Sequence, residues 1–399
     1  MTIIWPLSRQ TFVQHAKNGK EKTVQSSRRI DTIDFWRGIV LVVIFINHVP
    51  GNIIEHITPR NFGFSDSAEA FVFISGLAVA LAYGRDMESG RLGAVVGKSW
   101  RRAFVLYSIH LLLTFSAISL FATAFVLTGN EAFITSHGRD TVLEDPSAAL
   151  VGILSLGHQI GYYNILPLYI LLMVITPLLL ASVRRSPMLT LVVSFVIYAI
   201  AQAPQVNLPS WPVPGLWFLN PFAWQFAFVI GVITGQALKK GQLSKSQPLF
   251  CATLVFVLIA PIVMSNMGGL MPGLYDSLRA LGGFDKTDMS AMRLAHFLAL
   301  AYVLYHANIG KRLLATPIGA PAALMGRHGL AIFALGSVLS SAGQVCIALA
   351  EEARFTNATM AGIIVVPAGI MCLYFFARYL EGAESAALPA TREPIAATT

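Results

Sequence analysis

Apolar runs close to bilayer length alternate along the chain with short basic or proline-rich connections. They fall at about 33–50, 68–83, 103–127, 163–183, 187–203, 221–238, 249–266, 292–308, 328–350 and 358–378. A transmembrane helix needs roughly 20 mostly apolar residues. The pattern therefore predicts an all-α, polytopic membrane bundle of about ten transmembrane helices. The run at 187–203 is short, and the segment 147–162 reads as an interfacial helix with one apolar face on the membrane surface. The loop 204–220 holds too much proline for a helix. The expected layout is a basic cytoplasmic segment over 1–30, a transmembrane domain over 31–380 and a disordered cytoplasmic tail over 381–399, rich in Ala, Glu, Pro and Thr. The first segment has no apolar core followed by a small-residue cleavage site, so no cleaved signal peptide is expected.

Polar residues inside the runs change this picture. The first run carries Asp34, Arg37 and His48, where a plain anchor would be apolar throughout. Ionisable groups at membrane depth are costly and default to function. Arg37 and His48 are eleven residues apart, about three helical turns, which puts both on one face roughly 16 Å apart along the axis. Asp34 lies one turn before Arg37 on that face. The break at Pro50, Gly51 and Asn52 just beyond His48 suits a cavity lining. The next run opens Ser65-Asp66-Ser67-Ala68-Glu69. Asp66 and Glu69 have capping-box spacing. Glu69 is also expected at the depth of His48, where a carboxylate could orient the imidazole of a general base. Lone histidines such as His110, His296 and His306 are expected to be satisfied structural residues.

Composition agrees with a membrane bundle. Of 399 residues, 55% are hydrophobic and 12% charged, and the mean hydropathy is +0.65. The net charge of +8 follows membrane orientation better than nucleic-acid binding. With the N-terminus inside, thirteen basic residues fall in the short inner loops, against Arg60, Arg139, Arg279, Lys286 and Arg354 in the longer outer ones. That bias predicts N-in and C-in topology. Arg101 and Arg102 open the third run at the inner face, as snorkelling anchors or as partners of Arg37 in an anion site. Trp211, Trp217 and Trp224 lie near an outer boundary, as an aromatic belt or a stacking platform for a sugar ring. Cys251, Cys346 and Cys372 read as small apolar filler. No cluster has metal-ligand spacing, so no metal is expected. Gly97-Lys98-Ser99 imitates the end of a P-loop but lacks the leading glycine, which is Leu92. Gly231 and Gly235 form a small-xxx-small pair for helix packing.

Asp34-x-x-Arg37-Gly38, then His48, then Glu69-x-Phe71-x-Phe73-Ile74-Ser75-Gly76, then Arg101-Arg102, together resemble the transmembrane acyltransferase-3 superfamily. The texts Asn47-His48-Val49-Pro50-Gly51-Asn52, Arg60-Asn61-Phe62-Gly63-Phe64-Ser65-Asp66, Asn220-Pro221-Phe222-Ala223-Trp224-Gln225 and Met325-Gly326-Arg327-His328-Gly329 resemble its OpgC branch, succinyltransferases of osmoregulated periplasmic glucans. Val105 and Ser108 stand where the broader family often has a further arginine and a proline.

The resemblance implies a multi-pass enzyme of the bacterial inner membrane. Acyl-CoA, succinyl-CoA above all, would be its cytosolic co-substrate, with no tightly bound cofactor. A periplasmic glucan would be its acceptor and membrane lipid its surroundings. His48 takes the family's catalytic role, either as the base that deprotonates the sugar hydroxyl or as the carrier of the acyl group, with Glu69 and Asp66 beside it. Arg37, Asp34, Arg101 and Arg102 form the donor end, while Asn52, Arg60, Trp211, Trp217 and Trp224 are candidate acceptor contacts. Acetyl transfer to another surface polysaccharide and proton-coupled glucan transport are the competing readings; the latter often shows inverted repeats, and none is evident. Reporter fusions test the topology: reporters after residues 25 and 390 should both be cytoplasmic and one at Ser210 periplasmic, and any reversal overturns the assignment.

Overall fold

The computed structural model describes residues 20–264 and 283–387 apart from residue 356, together with residues 273, 277 and 280. The expected cytoplasmic segment before residue 20, the tail from 388 onward and Arg279 lie outside the described residues. Helices occupy all ten predicted runs: α1 Lys20–Asn47, α2 Ser67–Glu88, α3 Leu92–Thr128, then a surface helix α4 Pro146–Leu154, α5 Ile165–Arg185, α6 Pro187–Ala201, α7 Pro221–Lys240, α8 Gln247–Met264, α9 Ala291–His306, a short α10 Gly319–Arg327, α11 Gly329–Glu352 and α12 Ala358–Ala387. Among the described residues there is no strand, only an isolated bridge between Pro209 and Leu216.

Seven of these helices (α2, α3, α5, α7, α8, α11 and α12) are long and apolar enough to cross a membrane. The 15-residue α6 and the 16-residue α9 are shorter, and α1 carries Asp34 and Arg37 inside its apolar stretch. The segment 147–162 contains the nine-residue α4, with Leu150, Val151 and Leu154 exposed. Helix α12 runs on to Ala387, so residues 381–387 are helical rather than part of a disordered tail.

Local chemistry explains the boundaries. Asp66 caps α2 by accepting from Ala68 N, and Glu69 completes the capping box. Ser186 and Asn220 cap α6 and α7, each followed by a proline at the first helical position. Gly129 and Gly241 close α3 and α7 in the left-handed conformation, where glycine has no steric penalty. The P-loop imitation lies inside α3, with Lys98 ion-paired to Asp86 at 2.6 Å.

Small residues set the packing. Helix α2 lies against α7: a side chain on Gly76 would meet the Phe228 carbonyl, and one on Gly231 the Phe73 carbonyl. Helix α1 lies against α10 in the same manner, with Gly38 under the Ala322 carbonyl and Gly326 under that of Asp34. The outer surface is apolar, with Val126, Leu178 and Ile364 largely exposed, as lipid contact requires. The three cysteines face outward too and do not fill the core.

Gly38→Ala and Gly326→Ala should each force α1 and α10 apart, lowering the melting temperature in detergent by several degrees for an overpacking cost of about 1–3 kcal/mol. Gly84→Ala, with open space around it, should be neutral or stabilising; equal effects at all three positions would contradict this packing.

Candidate functional site

Helix α1 is the spine of the candidate site. His48 N bonds the Ile44 carbonyl at 3.1 Å, so the helical path from Arg37 reaches His48. Their separation along the axis is therefore about 16 Å, as the spacing predicted. Each end gathers its own polar groups.

At one end, Arg37 Nη1 donates to Asp34 Oδ1 at 2.7 Å and to the Gly326 carbonyl at 3.2 Å. Asp34 also lies in electrostatic range of Arg327. Arg102, from α3, lies in electrostatic range of Tyr169 on α5, of Tyr83 on α2 and of Arg37. Arg102 thus lies within electrostatic range of Arg37, whereas Arg101 is exposed. Two guanidinium groups converging between helices can hold an anion through several donors at once. Helices α1 and α3 both pack on α2 and α11.

At the other end, the expected His48–Glu69 partnership does not form. Glu69 is fully buried and binds Arg293 of α9, whose Nη2 lies 2.6 Å and Nε 2.7 Å from Oε1. Its second oxygen accepts from Asp66 N at 2.9 Å. Asp66 pairs with Lys286 at 2.7 Å and with Arg293 at 3.4 Å. Burial alone would raise the Asp66 carboxyl, but Lys286 and Arg293 outweigh it and hold the group well below the usual carboxylate range. The charges in range of His48 are Lys286, Asp66 and Arg60. The carboxylate in electrostatic range of the histidine is therefore Asp66, while Glu69 is held by Arg293 of α9.

His48 itself is half-buried. Among the described residues no protein group hydrogen-bonds its imidazole. Its ring lies 4.9 Å from that of Tyr162, and its carbonyl accepts from Gln344 Nε2 of α11 at 2.8 Å.

The acceptor candidates divide. Asn52 is fully buried and spent on backbone: it donates to the Ile46 and Val49 carbonyls and accepts from Glu55 N. It shapes the break after His48 rather than meeting a ligand. Arg60 is half-exposed and paired with Glu55 at 2.8 Å. Trp224 is fully buried, with its indole N–H on the carbonyls of Lys286 and Thr287, and Trp217 is buried as well. Neither offers a ring face to a sugar, nor a belt to the interface; Trp211 alone of the three is exposed.

Among the other histidines, His296 Nδ1 bonds Ser65 at 2.7 Å while its buried Nε2 has no hydrogen-bond partner among the described residues, and the ring of His306 lies 4.3 Å from that of Tyr302. His110 departs from the expected satisfied state. It and Thr114, one turn apart and buried on α3, have polar atoms without a hydrogen-bond partner among the described residues. Folding also assembles a group not visible as a spacing: His328, Glu381 and Glu384 bring ligand-type atoms within 4.8 Å of one another, with Glu381 already paired to His328 at 3.0 Å and Arg327 at 3.3 Å.

Arg293 and Tyr162 were missed by sequence reasoning. Arg293 had a signal, since it is a charge inside the apolar run 292–308 and the rule that singled out Arg37 applies to it equally. Tyr162 had none, because its place depends on a loop packing back onto α1.

The sequence model of the OpgC protein family matches residues 28–385. No curated protein and no solved structure matches the chain.

Breaking the buried pair on one side should be severe. Glu69→Gln or Arg293→Met alone should destabilise the purified protein by about 3–5 kcal/mol by leaving an uncompensated charge. The double variant should recover part of that loss in thermal unfolding; strictly additive losses would show that the two residues do not act as a pair.

Proposed function

The chain belongs to the OpgC family, and from that premise we propose that it moves a succinyl group from cytosolic succinyl-CoA to a hydroxyl of a periplasmic glucan. Family membership and the apolar helices make it a multi-pass membrane acyltransferase acting on glucans. The finer reading adds ten membrane passages in the bacterial inner membrane, N-in and C-in, with the Arg37 end in the cytosol and the His48 end towards the periplasm.

The observation that carries it is the polarity of one continuous helix. Arg37, backed by Arg102, stands at one end and an accessible His48 about 16 Å away at the other. A pantetheine arm spans that distance. The guanidinium groups of Arg37 and Arg102 hold the anionic part of the donor, and the thioester reaches His48. His110 and Thr114, buried polar groups on α3, suit the amides of an arm passing through an otherwise apolar bundle. The His48 imidazole then takes the proton of the sugar hydroxyl. The hydroxyl oxygen attacks the thioester carbonyl, the carbon–sulfur bond breaks, and the leaving thiolate takes that proton back, giving the ester and free CoA. Lys286 and Arg60, the cations in range of His48, support succinyl over acetyl, since the free carboxylate of the acyl chain would lie beside them.

His48→Ala should abolish anionic substitution of the glucan at normal membrane levels of the protein. Arg37→Ala should weaken succinyl-CoA binding by 10-fold or more. Mass analysis of the glucan and calorimetry on the solubilised protein measure these, and normal glucan charge in His48→Ala would overturn the proposal.

A further inference from the structure

The ring of Tyr162 does not end at His48. It also lies 5.1 Å from His137 at an interplanar angle of 54°, much as it lies 4.9 Å and 52° from His48. Three rings thus follow one another outward from α1. His137 is exposed, Tyr162 half-buried and His48 half-buried at the end of its helix. The row forms a path from the surface of the loop down to the reactive imidazole.

The loop that carries the two outer rings is built to hold them there. Tyr162 has φ +72° and His137 φ +62°, a backbone region that bulky side chains seldom adopt and that persists where the surroundings impose it. The surroundings here are specific. Gly161 N bonds the His137 carbonyl at 2.9 Å, and any side chain at Gly161 would run into the His137 ring. His158 bonds the Gly138 carbonyl at 2.8 Å. The guanidinium of Arg139 donates to the Phe133 carbonyl at 2.7 Å and lies 3.9 Å over the Phe121 ring of α3. On the far side, Tyr163 bonds Ser341 of α11 at 2.7 Å. The rings are therefore presented on a braced loop.

We infer that Tyr162 and His137 form the acceptor subsite, a stacking face for a pyranose ring of the glucan that sets one of its hydroxyls against His48. The inference rests on the acyl-transfer reading and deepens it. A sugar ring offers an apolar face of C–H groups and a rim of hydroxyls. The first suits an aromatic face, and the second suits fixed polar groups at its edge. Both are present: the ion pair of Arg60 and Glu55 lies in electrostatic range of Tyr162, offering donors and an acceptor to the rim. The burial of Trp217 and Trp224 leaves these rings as the aromatic face beside His48.

The test uses the full-length protein in detergent, with succinyl-CoA and purified unsubstituted periplasmic glucan. Tyr162→Ala should raise the KM for glucan 10-fold or more, with kcat and the KM for succinyl-CoA within twofold of the unaltered protein. Tyr162→Phe, which keeps the ring, should restore the glucan KM to within threefold, and His137→Ala should raise it about threefold. Glucan binding by calorimetry should follow the same order. If Tyr162→Ala does not fold, as judged by thermal unfolding and succinyl-CoA binding, the exposed His137 carries the test. Glucan binding unchanged in every folded variant overturns the subsite. Glucan binding lost in Tyr162→Ala, with no acyl transfer by the unaltered protein, supports the subsite and overturns the acyl-transfer reading instead.

Discussion

Helix α1 is tied to α10 at Arg37 and to α11 at His48, and the site depends on that constraint. Arg37 reaches the Gly326 carbonyl at the end of α10, and the His48 carbonyl receives Gln344 from α11. Between these ties the helix is unbroken, so the distance between Arg37 and His48 is set by helical rise rather than by a flexible loop. The close approach at Gly38 and Gly326 makes the first tie possible. In an apolar surrounding such polar ties have few competitors, because water does not offer an alternative partner.

The second organising element is the set of Asp66, Glu69, Lys286 and Arg293, with Glu69 and Arg293 buried and Lys286 partly exposed. Two carboxylates and two cations cancel in charge, which suits a place where an isolated charge would be costly. The set joins the start of α2 to the start of α9 and to the segment before it. It also leaves His48 without a directly bonded carboxylate, beside a carboxylate and cations that are already paired. An imidazole in such company has no partner for its nitrogens among the described residues.

Beside these two elements lies the segment from Gly129 to Asn164, whose positive-φ residues His137 and Tyr162 sit in a row with the histidine. Strain of this kind is maintained by the contacts around it, and here those contacts run from α3 through Phe121 to α11 through Ser341. The proposed acceptor face is thus connected to the helices that flank the proposed donor path.

The apolar runs were enough to place a helix at each of ten positions, seven of them long and apolar enough to cross a membrane, because a bilayer-scale apolar run has few other structures open to it. The cost of a charge at membrane depth was enough to single out Asp34, Arg37 and His48, and would have found Arg293. The capping box at Asp66 and Glu69 was legible because it is a contact between residues three apart. The remaining features come from residues distant in the chain. The turn of Glu69 towards Arg293 spans 224 residues, and the Arg37–Gly326 bond spans 289. The burial of Trp224 depends on the segment at 286–287, and the place of Tyr162 on a loop folding back over α1. Local pattern carries the depth of a residue in a helix and the side it faces, but not which helix meets it there. That choice is made by packing, and in this protein by where glycines let two backbones touch.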